Sequence, residues 1–344
     1  MDAQGPRALR RRRRRPAADV RLGAPSDLKL ASAALRSLLH LTGRMRYGLL
    51  SDVHANLPAL LAVLRAFRQR EIDTYVCAGD VVGYGPHPAE CIAVVDALKP
   101  AWILGNHELM LLDRLPRERA GPLARRTIEW TRAVLPGHTL RRLDGLPLTA
   151  ELAGGVIVAH GSLKDPSLRI TRHPQMVSEL DQLGQQHPQA WLLVLGHTHR
   201  VFVANSRTEL RWAGLRPRVH LTADTRYIVN PGSVGQSRGY LGGARAAVLD
   251  TATRTLELLA VSYDTSSLEN DLTAVGFPRW AHHRSPFRRL AERIERKARK
   301  VLGPDRPGPR DARSYPHDSG EGLPASASPD GSRDHRGDLP AAPP

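Results

Sequence analysis

The sequence predicts an α/β fold: one domain of two mixed β-sheets packed on each other with helices outside, a four-layer α/β/β/α sandwich. Three observations carry this expectation. From Arg46 to Leu104, short apolar runs alternate with stretches of helical spacing, as in parallel strands joined by crossover helices. Further along, the pattern changes to short strands with brief connections, as in antiparallel pairing. The 344 residues are 41% hydrophobic but only 5% aromatic, so a sizeable core has to be assembled from Leu, Val, Ile and Ala.

The elements follow in chain order. Arg46–Ser51 is an apolar run that stops at Asp52. Leu57, Leu60, Leu61, Leu64 and Phe67 then repeat at helical spacing, with Asn56 as N-cap and Pro58 in the first turn. Thr74–Ala78 reads as a second strand, stopping at Gly79-Asp80. Pro88–Leu98 reads as a helix with Ile92, Val95 and Leu98 on one face, and Ala101–Leu104 as a third strand ending at Gly105-Asn106-His107-Glu108. Residues 114–143 carry helical spacing through Leu123, Ile128, Trp130 and Val134 among many arginines, which predicts flanking helices with a solvated face. Val156–Ala159 and Trp191–Leu195 read as buried strands ending at His160-Gly161 and Gly196-His197-Thr198-His199. Val201–Ala204, Val219–Thr222, Tyr227–Asn230, Ala244–Leu249 and Thr255–Val261 are expected to pair antiparallel and to supply the second sheet.

A formal net charge of +16 invites a nucleic-acid or anionic-membrane partner. Its distribution weakens that reading. Residues 1–46 hold 12 Lys+Arg against 3 Asp+Glu, residues 47–280 hold 25 against 22, and residues 281–344 hold 13 against 9. The basicity therefore belongs mainly to the ends. Residues 1–44, with the run Arg10–Arg15, are expected to be a basic, largely disordered extension ahead of Met45; the Arg-rich, acid-poor composition also fits an organelle transit peptide. The domain is expected over 45–265. Residues 284–302 read as a basic amphipathic helix through Phe287, Leu290, Ala291, Ile294, Ala298 and Val301, either packed on the domain or anchoring an anionic partner. Residues 303–344 read as a disordered Pro/Gly/Asp-rich tail. No stretch approaches the roughly 20 apolar residues of a membrane span. With Cys77 and Cys91 the only cysteines, a disulfide-stapled secreted scaffold is excluded and a cytoplasmic location expected.

Five predicted strand ends deliver Asp52 with His54, Asp80, Asn106 with His107, His160, and His197 with His199. A lone histidine of this kind is usually a hydrogen-bonded core residue. Here five of 15 histidines fall within four residues of a strand end, where α/β sheets collect their chemistry. Carboxylate oxygen mixed with imidazole nitrogen suits Mn, Fe, Ni, Zn or Co rather than a structural zinc, which favours thiolates. Cys77 and Cys91 fall inside predicted elements and are not expected to be ligands. A carboxylate shared by two metals about 3.5–4 Å apart can clamp both oxygens of an in-line phosphoryl displacement. Gly79 and Gly105 are expected to let backbone approach the metals, Gly83 and Gly85 to serve turns, and Asn230-Pro231-Gly232-Ser233 to form a structural turn near the site. Arg238, just after that turn, is a candidate phosphate contact, although arginines in general favour a solvated surface position.

The succession Asp52-Val53-His54, Gly79-Asp80-Val81-Val82-Gly83-Tyr84-Gly85, Gly105-Asn106-His107-Glu108, His160-Gly161 and Gly196-His197-Thr198-His199 resembles the calcineurin-like metallophosphoesterase superfamily. Ser51-Asp52-Val53-His54-Ala55-Asn56, His160-Gly161-Ser162-Leu163 and Asn230-Pro231-Gly232-Ser233-Val234-Gly235 are similar to a compact prokaryotic phosphodiesterase/phosphatase subgroup of it. The resemblance covers roughly Arg46–Val261 and neither tail. It implies a binuclear metal-dependent phosphoesterase acting on phosphomono- or phosphodiesters, with two divalent ions (Mn, Ni, Fe, Zn, Co or Mg). By the same resemblance Asp52, His54 and His199 would bind the first metal, Asn106, His160 and His197 the second, and Asp80 would bridge them. A hydroxide between the metals would attack phosphorus. His107 would protonate the leaving oxygen or stabilise charge, and Glu108 would orient His107. Asn106, His107 and Arg238 form the expected substrate-binding set. Two alternatives stay open: a nuclease of the same fold, with the basic termini making a weak nucleic-acid contact, and an inactive interaction scaffold, as in the retromer subunit that shares the fold.

Overall fold

The computed structural model describes residues 45–211, 218–238, 242–283 and Ile294. The expected N-terminal extension, the basic helix (Ile294 apart) and the C-terminal tail lie outside the described residues.

Strand β1 (Arg46–Leu50) is buried beyond its first residue and so carries an unbroken apolar run. It pairs in parallel with β2 (Thr74–Cys77), and β2 in parallel with β3 (Ala101–Trp102). The crossovers contain α1 (Leu57–Phe67) and α2 (Pro88–Ala97). Asn56 caps α1: its side-chain oxygen accepts from Ala59 N at 3.1 Å. On its other edge β1 pairs antiparallel with β11 (Ala244–Asp250), β11 with β12 (Thr255–Val261), and β12 with β9 (Arg218–His220). The first sheet thus runs β3-β2-β1-β11-β12-β9.

The second sheet contains β4 (Thr149–Leu152), β5 (Val156–Ala159), β6 (Leu192–Val194), β7 (Phe202–Ala204), β8 (Glu209–Arg211) and β10 (Tyr227–Asn230), in the order β4-β5-β6-β10-β7-β8. β6 pairs in parallel with both β5 and β10. Two expectations are corrected here. The late strands β9, β11 and β12 complete the first sheet instead of joining the second, and β10 takes a parallel as well as an antiparallel partner. Short alternating strands announce antiparallel pairing but not which sheet receives them.

Alternation sorts side chains between the layers. Leu49 faces the inter-sheet core with Val76, Ile103, Val158, Val194 and Val229, while Leu50 faces the α1 side with Leu60, Val63 and Phe67. Helix α6 (His173–Gln186) covers the outer face of the second sheet through Met176, Leu180 and Leu183. Each such fully buried side chain contributes roughly 1.5–3 kcal/mol. Between β3 and β4 lie α3 (Asn106–Leu111), α4 (Pro122–Val134) and α5 (Gly137–Asp144). After β12, α7 (Thr265–Ala274) packs Leu268 and Leu272 with Phe277 and Ala281 against Leu123 and Trp130. β4, β8, α6 and α7 were not anticipated from the sequence. Among the described residues no helix is long and apolar enough to cross a membrane.

Candidate metal centre

The loops that follow β1, β2, β3, β5 and β6 meet at one place. Several of their residues hold left-handed backbone: φ is +53° at Asp52, +49° at His54, +56° at Asp80, +64° at His197 and +58° at His199. An L-residue in that region costs roughly 1–2 kcal/mol. Hydrogen bonds hold the loops there. Asp52 N donates to Gly79 O at 3.0 Å, His54 N to Asp80 O at 3.0 Å and Ala55 N to Val81 O at 2.7 Å. Gly235 N and Ser233 Oγ donate to Asp52 O at 2.9 and 2.8 Å, tying in the loop after β10. At His197 the chain makes a γ-turn: Thr198 N donates to Gly196 O at 2.7 Å across a positive-φ residue, a strained form. Gly79 and Gly105 pack back to back. A Cβ on Gly79 would lie 2.6 Å from Gly105 N, and one on Gly105 would collide with Asp80 Oδ1.

All seven expected ligands converge. Asp52, His54, Asp80 and His199 offer ligand atoms within 4.8 Å of one another, and so do Asp80, His160 and His197. Asp80 belongs to both groups. His199 Nε2 lies 3.2 Å from Asp52 Oδ1, His54 Nε2 3.9 Å from Asp80 Oδ2, and His160 Nε2 3.2 Å from Asp80 Oδ2. Asn106 Oδ1 is 3.1 Å from His160 Nε2. Every one of these residues is buried, His197 being the least covered at 9% exposure.

The imidazoles are aimed by their other nitrogens. His54 Nδ1 faces Val82 O at 3.0 Å, His160 Nδ1 faces Ala78 O at 2.6 Å, and His199 Nδ1 faces Gln236 O at 2.8 Å. A carbonyl only accepts, so each Nδ1 carries the hydrogen and Nε2 is the atom aimed into the site, the arrangement seen around metal-ligating histidines. Burial works to lower His160, but Asp80 outweighs it and pushes that imidazole up to about 9. Burial, helped by His107, holds His54 well below the usual imidazole range; burial and Arg238 do the same for His199, and burial and His160 for His197. His54 Nε2 and His199 Nε2 then face each other at 3.1 Å as two lone pairs. Such a pair repels unless a cation lies between, so the donor set fits divalent metal. At the shared carboxylate, burial works to raise Asp80, but His160 and His107 outweigh it and hold the group well below its ordinary value. Cys77 and Cys91 are buried and free, burial pushes both thiols up, and neither belongs to these groups.

Two expected roles are corrected. Glu108 does not orient His107. Its Oε2 accepts from Asp80 N and Gly105 N at 2.8 and 2.9 Å, and its Oε1 from Val81 N and Val82 N at 2.7 and 3.1 Å. Neighbours on a helix point in different directions, and Glu108 instead fastens the Asp80 loop. Arg238 is not a solvated surface residue. It is 6% exposed, and its guanidinium donates to Gln236 Oε1 at 3.1 Å from Nη2. Gln236, which sequence reasoning passed over, thus serves His199 through its backbone and Arg238 through its side chain. The arginines of 114–143 behave as expected, with Arg114 and Arg142 pairing at the surface with Asp144 and Asp96.

A family model described as calcineurin-like phosphoesterase matches residues 45–220. An uncharacterized protein of Methanocaldococcus jannaschii is 31% identical over 238 residues, spanning 68% of this chain and 95% of its own. A crystal structure of a metallophosphoesterase from Sphaerobacter thermophilus is similar at 29% identity and a TM-score of 0.60, covering 70% of this chain and 98% of that one. A hypothetical protein from Pyrococcus horikoshii shares the fold at 18% identity and a TM-score of 0.57, with the same coverage. This chain belongs to the calcineurin-like phosphoesterase family.

Proposed function

We propose that the protein is a binuclear metal-dependent phosphoesterase that hydrolyses phosphomono- or phosphodiesters, with residues 45–265 as the unit that carries the activity. The observation that carries this reading is Asp80, one carboxylate shared by two donor groups. Asp52, His54 and His199 would hold the first divalent ion and Asn106, His160 and His197 the second, with Asp80, common to both groups, available to each. When bound, such a metal pair lowers the pKa of water and neutralises charge on phosphoryl oxygens.

The chain's own groups do the rest. His107, whose Nε2 lies 4.0 Å from Asp80 Oδ2, gives a proton to the leaving oxygen as the P–O bond breaks. Asn106 and Arg238 supply hydrogen bonds and positive charge to the phosphoryl oxygens, with Gln236 fixing the guanidinium. Glu108 is a positioning residue: it holds the backbone on both sides of Asp80. Burial of the whole group strengthens each of these interactions. Two unpaired buried cysteines suit a reducing compartment, which favours a cytoplasmic location.

The test is hydrolysis of p-nitrophenyl phosphate and bis(p-nitrophenyl) phosphate with added Mn, Ni or Mg. Turnover is expected to depend on added metal and to vanish with EDTA and in Asp80→Ala. Turnover that survives both sinks the reading.

A further inference from the structure

With Glu108 turned away, no hydrogen bond to a side chain among the described residues fixes the His107 imidazole. Its backbone N donates to Asp80 Oδ1 at 2.8 Å, yet among the described residues nothing reaches its buried Nδ1. The ring is held by packing. Gly83 lies directly against Nδ1, with no room for a Cβ. The Tyr84 and His54 rings flank the imidazole, with centroids 4.8 and 4.7 Å away. Tyr84 also meets His54 edge to face at 4.7 Å.

Tyr84 sits there at a conformational cost. Its φ is +62°, and Gly85 N donates to Gly83 O at 2.8 Å across it, a positive-φ γ-turn. The same strained turn carries His197, an expected metal ligand. The turn is clamped from outside: Tyr84 N donates to Thr127 Oγ1 at 3.0 Å, and that hydroxyl donates to Ala124 O on α4. Thr127 is fully buried and Tyr84 only 8% exposed. Strain that the surroundings over-determine collects at functional sites. A bulky aromatic at positive φ has no local reason to be there, since glycine would satisfy the turn.

We infer that Tyr84 is a positioning residue, a γ-turn-mounted aromatic wall that holds the His107 imidazole toward the leaving-group oxygen. The inference rests on the role proposed for His107. It assigns the task to the ring, not to the phenol hydroxyl.

Two variants of the full chain separate these elements. Tyr84→Gly removes the ring and gives the turn the residue it favours; Tyr84→Phe keeps the ring and removes the hydroxyl. Phenol leaves less readily than p-nitrophenol and depends more on a donated proton. In Tyr84→Gly, kcat for phenyl phosphate is expected to fall about tenfold more than kcat for p-nitrophenyl phosphate, a fraction of what general acid catalysis supplies. Tyr84→Phe restores the wild-type ratio. Equal losses on both substrates, or a Phe variant as impaired as Gly, overturn the inference. A second readout does not need turnover. In Mg- or Zn-loaded protein, long-range 1H–15N spectra are expected to show His107 in one fixed tautomer in wild type and Tyr84→Phe, and averaged in Tyr84→Gly. An unchanged His107 signal in Tyr84→Gly overturns the inference. If wild type hydrolyses no ester with any metal, the phosphoesterase reading fails, and the imidazole signal alone decides whether Tyr84 positions the ring.

Discussion

Leu49 and Asp52 stand three residues apart, and both are completely buried. Leu49 lies in an ordinary strand, between two sheets, among Val, Ile and Leu. Asp52 lies past the strand end, at positive φ, among carboxylates and imidazoles. Burial favours the first and penalises the second: it pushes the Asp52 carboxyl up to about 7, against His160, which pulls it down. The inter-sheet core and the strand-end rim are thus opposite in their energetics. The stability of one holds the other in a conformation and charge state it would not keep alone.

The largest effect that tests this contrast belongs to the rim. Asp80→Ala is expected to lose at least about 100-fold in kcat, the scale of one electrostatic element of a site, while the metal-free protein stays folded by circular dichroism. A variant that unfolds would mean the rim is needed for the fold. Next comes the core. Leu49→Ala should lower the unfolding free energy in urea by about 2–5 kcal/mol, the range for a large buried apolar side chain, with metal binding per folded molecule intact.

Gly105→Ala should act on the rim without replacing a ligand. Its new methyl would collide with Asp80 Oδ1. Metal affinity measured by titration calorimetry should weaken by about 10–100-fold, as when the support behind a ligand is lost. Glu108→Gln should cost about 1–3 kcal/mol, because an amide N–H₂ would face backbone N–H groups that now donate to a carboxylate oxygen. At the small end, Arg142→Ala removes an exposed pair with Asp96 and should shift stability by less than about 1 kcal/mol.

The rim was more legible in the sequence than the sheets around it. Residue types that can bind a metal follow directly on apolar runs, so local pattern singles out Asp52, His54, Asp80, Asn106, His107, His160, His197 and His199; the family resemblance marks all but His107 as ligands, and the structure brings those seven together. The sheet membership of β11 could not. Its pairing with β1 joins residues such as Tyr47 and Leu249, far apart in the chain, and local periodicity carries no information about that. α6 escaped notice because its apolar positions, Met176, Leu180 and Leu183, are spread thinly through a polar segment and make sense only against the second sheet. The family resemblance assigns Glu108 to His107, but neighbours on a helix diverge in space, and Glu108 reaches the Asp80 loop instead. Residue type alone points Arg238 to the surface, whereas in the fold it is buried and donates to Gln236, two residues back.

On the proposed reading one carboxylate, Asp80, joins two metal sites. Electron paramagnetic resonance of the protein loaded with two equivalents of Mn(II) tests it most directly. Two ions about 3.5–4 Å apart on a shared ligand are expected to give a spin-coupled multiline spectrum that collapses to isolated six-line signals in Asp80→Ala. An isolated six-line spectrum from the wild-type protein at full loading would contradict a carboxylate shared by two ions.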